Sequence, residues 1–173
     1  RERLWCQALD SWLAGRPEQS IAAMEKAVSL NKGDTISMKL SHGIRFMLGD
    51  HRGMLRAVAA VIDAHGDEHP LRGYALGCLA FAQEENGLYA DAERSGLTAL
   101  EYAKDDAWGL HAVAHVYDMT HRTDCGIKLI DNNVAAWDHC NNFRFHVWWH
   151  KALLLLDRCD YGAVLELYDQ QIR

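Results

Sequence analysis

The chain has few residues that break helices: only two of its 173 residues are proline, Pro17 and Pro70. Basic runs are also missing. Lys and Arg are scattered singly and the formal net charge is −6, so nothing tracks a phosphate backbone and nucleic acid is excluded as an expected partner. No stretch approaches the ~18 apolar residues of a membrane span, so no membrane partner is expected. The five cysteines (Cys6, Cys78, Cys125, Cys140, Cys159) include no CxxC pair. An odd, unpaired set fits reduced and mostly buried thiols in a cytoplasmic protein better than a disulfide framework. Phosphate loops, a G-x-S-x-G elbow and a dinucleotide fingerprint are all absent, which removes the commonest nucleotide and hydrolase chemistries.

What the chain does have is apolar content of 49% arranged at helical spacing. Ile21, Met24, Ala27 and Val28 recur at i, i+3, i+4, as do Leu55, Val58, Ala59 and Ile62. No segment alternates with period two for long enough to be a strand. The helices are punctuated at Gly15, Gly49, Gly87, His121 and Cys159, in steps of 34, 38, 34 and 38 residues. The tetratricopeptide period is about 34 residues, so two steps match it and two carry a longer loop. The extra residues fall around Gly66–Pro70 and between Asn132 and Asn142. Small residues at Gly77, Ala92, Gly96, Ala112 and Ala152 allow close helix approach. The expected fold is all-α: an open right-handed solenoid of antiparallel helix pairs, a tetratricopeptide-like superhelix. Residues 1–173 are read as a single repeat domain of about five pairs, part of a longer array, because the ends fall inside helical patterns.

Several motifs are more specific than this punctuation. Asp106-Ala107-Trp108-Gly109-Leu110-His111-Ala112-Val113-Ala114-His115 forms one helix pattern, and His146-Val147-Trp148-Trp149-His150 with Ala152-Leu153 forms another. Upstream stand Lys39-Leu40-Ser41-His42, Leu48-Gly49-Asp50, and the set Tyr74, Gly77, Phe81, Glu84, Glu85, Gly87; Tyr161 and Leu167-Tyr168-Asp169 follow. Together these make the chain similar to the tetratricopeptide repeat protein 38 family over essentially its whole length. The likeness implies a helical-repeat fold and assigns no activity. Val147 stands where that family's pattern has Asn, and His121 where it has a turn Gly.

The outstanding constellation is a pair of H-x-x-x-H motifs, His111/His115 and His146/His150. On a helix, positions i and i+4 share a face about 5–6 Å apart, a spacing at which two imidazoles can chelate one cation. Both pairs fall on first helices of neighbouring repeats, which line the concave surface of such arrays. Gly77 and Phe81 occupy the equivalent positions one repeat earlier, and Glu84 continues that face. A groove of Glu84, Trp108, His111, His115, His146, Trp149 and His150 is therefore expected, with the four histidines as candidate ligands for a transition metal such as zinc. The competing expectations are a metal-free polar site and hydrogen-bonded packing. Separation of the imidazoles by more than about 10 Å would end the shared-site idea. His42, among Leu40, Ile44 and Met47, reads as a hydrogen-bonded core residue.

Two functions from different classes follow. One is a scaffold whose concave face binds a protein or peptide partner. The other is an enzyme, or a small-molecule or metal-binding protein, built on the histidine cluster. Whether a reaction is catalysed, and whether the chain self-associates, stays open at this point.

Overall fold

The computed structural model describes residues 1–173, folded into ten α-helices with no strand. They are α1 Glu2–Leu13, α2 Pro17–Leu30, α3 Thr35–Met47, α4 His51–Ala59, α5 Arg72–Glu84, α6 Tyr89–Tyr102, α7 Ala107–Met119, α8 Thr123–Asn132, α9 Asn141–Asp157 and α10 Tyr161–Leu167. Odd and even helices pair successively, and the odd helices pack side by side, α3 on α5, α5 on α7 and α7 on α9. None of them is long and apolar enough to cross a membrane. The two longer connections fall where extra residues were expected. A 3-10 turn at Ile62–Ala64 begins one, and another at Val134–Ala136 lies in the second.

The five odd helices end in the same way. Gly15, Gly49 and Gly87 take φ of 69°, 70° and 74°, while His121 and Cys159 take 56° and 57°. At each, the next amide bonds to a carbonyl five residues back: Arg16 to Ser11, Asp50 to Arg45, Leu88 to Gln83, Arg122 to Tyr117 and Asp160 to Leu155, at 2.8–3.0 Å. This is the 6→1 closure of a Schellman motif, which satisfies an otherwise orphaned terminal carbonyl and demands a left-handed residue. Asp50 and Asp160 then cap the following helices by accepting from the Gly53 and Ala163 amides. One turn chemistry thus stops every odd helix, and at Asp50 and Asp160 it also starts the next.

Between pairs, small residues set the approach. A Cβ on Gly96 would lie 2.3 Å from Val113 Cγ2, so α6 can meet α7 at this distance only through glycine. The largest core cluster joins α7, α8 and α9 through Leu110, Ala114, Ile130, Trp137, Val147 and Leu154. Val147 is 1% exposed there, so it feeds the core and stands off the imidazole face. Two expectations need correction. Cys6, Cys125 and Cys159 are exposed and only Cys78 is buried, although all five thiols are free. His42 is buried, but neither ring nitrogen has a hydrogen-bond partner.

Candidate metal centre

Helices α7 and α9 lie side by side with their H-x-x-x-H faces opposed. His111 Nε2 stands 2.8 Å from His146 Nε2, and His115 Nε2 stands 3.1 Å from His150 Nε2. Along the helices, His111 to His115 is 2.9 Å and His146 to His150 is 3.0 Å, Nε2 to Nε2. All four ligand atoms fall within 4.8 Å of one another, far inside the separation that would have ended the shared-site idea.

Hydrogen bonding alone does not account for this convergence. An imidazole Nε2 has a single in-plane lobe, holding either a proton or a lone pair. Each nitrogen here faces two others, so a closed ring of four edges would ask every lobe to serve twice. Four lone pairs would repel, and four protons would collide. One cation at the centre satisfies all four lobes together. Donors 2.0–2.1 Å from a common ion stand about 2.9 Å apart on the edges of a square and about 3.3 Å apart in a tetrahedron. The observed 2.8–3.1 Å fits the first closely and the second after a small outward relaxation.

The surroundings favour neutral, ligating imidazoles. Burial, reinforced by the neighbouring imidazoles, holds His111 well below the usual histidine range. The same causes bring His150 down to about 3 and lower His146. Phe81 stacks on the His111 ring at 5.5 Å between centroids, Trp108 lies 5.4 Å away, and Phe143 contacts both His111 and His146. Phe143 escaped the sequence reading, although it lies one helical turn before His146 and so on the same face. Glu84 is buried, and its Oε2 lies 3.4 Å from His115 Nδ1. A carboxylate behind a ligating histidine fixes its tautomer and raises its basicity. Glu85 leans the other way, paired with His51 at 2.5 Å.

Burial is uneven across the cluster. His111 and His150 are buried, His115 is half-buried and His146 is exposed. Trp108 belongs to the cluster's wall as expected. Trp149 does not join the aromatic packing and is 53% exposed. Trp137 is core, with Trp148 edge-on at 4.7 Å.

No protein-family model matches the chain. Among solved structures, it is similar to the nearly identical TPR-like repeats of a kinesin light chain-like protein of Podosopora anserina. The likeness gives a TM-score of 0.70 at 16% identity, over 97% of this chain and 92% of that one. A point-substituted variant of the same repeats gives 0.72 at the same identity and coverage. A double mutant of MamA from RS-1 is similar with a TM-score of 0.67 at 14% identity, over 97% of this chain and 90% of that one. At these identities the likeness carries the fold alone: the chain is an all-α solenoid with the TPR-like helical-repeat architecture.

Proposed function

We propose that this helical-repeat scaffold binds one transition-metal ion between its fourth and fifth helix pairs, through His111, His115, His146 and His150. The observation that carries the reading is the convergence of four single-lobed Nε2 atoms at 2.8–3.1 Å. An all-imidazole set suits zinc, copper or nickel and is poorly suited to calcium or magnesium, which take oxygen ligands. Glu84 stands behind His115, its Oε2 3.4 Å from Nδ1. The exposed edge at His146 leaves the ion approachable by a small molecule from solvent.

Elemental analysis of untagged protein tests this, beside a His115→Ala/His150→Ala variant. The expected result is close to one metal per chain in the parent and none in the variant, with Co²⁺ replacing the native ion and giving a visible ligand-field spectrum. A metal-free parent that also fails to take up Zn²⁺, Co²⁺, Ni²⁺ or Cu²⁺ overturns the reading.

A second reading, that the same face also binds a protein or peptide partner, has its own support. Trp5, Leu9 and Trp12 of α1 face Leu40, Ile44 and Met47 of α3 across an apolar groove of about 580 Å³. Leu9 and Met47, which line it, are 57% and 61% exposed. Grooves between first helices are where such arrays take extended or helical segments. Replacing Leu9 and Met47 with Ser should abolish capture of that partner without changing metal content.

A further inference from the structure

A second cavity lies on the other side of Trp108 from the imidazoles, between α3, α5 and α7. It measures about 290 Å³ and is walled mainly by Ile36, Leu40 and Leu71. That is close to the lower end of small-molecule sites, which run from about 300 to 1,000 Å³. Three further lining residues carry a buried polar atom with no partner: Lys39 Nζ, Asp106 Oδ2 and Trp108 Nε1. Buried polar atoms are nearly always paired, so three unpaired ones around one cavity point to a missing partner. The Lys39 ammonium rests 3.8 Å from the centre of the Trp108 ring, with the Cys78 thiol beside it.

Asp106 is only 4% exposed and is held in place by glycines on two helices. A Cβ on Gly77 would lie 2.0 Å from Asp106 Oδ2, and one on Gly109 would lie 2.5 Å from it. Space for this carboxylate therefore exists only because both positions lack a side chain. Burial raises its pKa to about 6 against the opposing pull of the Gly109 and Trp108 amides, and Lys39 acts on it through charge alone. A cation and an anion thus border one apolar cavity without forming an ion pair.

We propose that this cavity binds a free α-amino acid with a large apolar side chain. Its carboxylate meets the Lys39 ammonium and the Trp108 N–H, its ammonium meets Asp106, and its side chain lies against Ile36, Leu40 and Leu71. Such a zwitterion supplies one acceptor group and one donor group of the required signs, leaving the pair of charges neutral overall. The apolar lining shields the three polar atoms, so entry requires the unbranched Lys39 side chain to swing off Trp108. Trp108 separates the amino acid from the imidazoles, and the proposal stands whether or not a metal binds there.

Calorimetric titration of the whole chain with three compounds of one shape tests it: L-phenylalanine, 3-phenylpropionate (no ammonium) and 2-phenylethylamine (no carboxylate). Phenylalanine should bind saturably, and each analogue at least about tenfold more weakly, the equivalent of ~1.4 kcal/mol. Lys39→Met should weaken phenylalanine and phenylpropionate while sparing phenylethylamine, and Asp106→Asn should spare phenylpropionate alone. Far-UV dichroism checks that both variants fold. Should Asp106→Asn fail to fold, the Lys39→Met pattern decides. No saturable heat at millimolar concentration with any compound means that water fills the cavity and overturns the proposal. Equal affinities for all three, or indifference to Lys39→Met, overturn it as well.

Discussion

His42 makes the fold vulnerable to acid, and the size of the effect can be worked out. Its ring is fully buried, packed on Phe81 at 5.9 Å and edge-on to Trp108 at 6.1 Å, and neither nitrogen has a partner. Burial, then the nearby Lys39 charge, brings its pKa from 6.5 to about 3. A histidine lowered in the folded state binds fewer protons there than in the unfolded chain. Stability from this group is therefore full above pH 6.5 and is lost as pH falls towards 3. The whole shift corresponds to about 5 kcal/mol, and the part lost between pH 7 and pH 5 to about 2 kcal/mol. Urea unfolding at the two pH values, on chelator-dialysed protein, measures it. His42→Leu removes the titrating group and two unsatisfied nitrogens while keeping an apolar side chain of similar bulk. Between pH 7 and pH 5 the parent should lose about 2 kcal/mol more than the variant. His111, His146 and His150 also destabilise the fold in acid, but they do so in both proteins and cancel. Equal losses in parent and variant would refute the argument, because the His42 ring would then be hydrated or paired when folded.

Added Zn²⁺ at about a hundredfold above its dissociation constant should stabilise the chain by ~2.7 kcal/mol, raising Tm by about 5–10 °C. Differential scanning calorimetry should show this rise shrinking in His146→Ala, which leaves three ligands. His121→Gly relieves a left-handed side chain at φ 56° and should raise stability by about 0.5–1 kcal/mol in urea titrations, after its cost in unfolded-state entropy. Gly96→Ala pushes a methyl to within 2.3 Å of Val113 Cγ2 and should lower stability by about 1–3 kcal/mol, read from the same titrations.

The turns were legible in the sequence because each needs a left-handed residue at a fixed place. Glycine announces that requirement at Gly15, Gly49 and Gly87, and repeat spacing alone located His121 and Cys159, where the residue type argues against it. The histidine pairs were legible for a similar reason. Four residues make one helical turn, and 35 residues separate His111 from His146 and His115 from His150, close to one repeat. Their offset from the turns is taken up by α9, which runs for 17 residues where α7 has 13. The second cavity was not legible. Lys39, Asp106 and Trp108 come from two segments far apart in the chain, and the lack of partners for their polar atoms exists only after packing. The same is true of Phe143, whose role depends on which way α9 is rotated against α7.

The opposed histidine pairs belong to neighbouring repeats, and that gives their geometry a mechanical meaning. A solenoid flexes by small rotations between successive helix pairs, summed along its length. The α7–α9 boundary is one such joint, and its four imidazoles span it at two levels, one helical turn apart. An ion gripped at both levels resists sliding as well as twisting, as a rivet would. With the proposed ion bound, the rotation at this joint would depend on occupancy, and so would the spacing of whatever lies along the array. Metal supply would tune the grip of the whole arc from a single point.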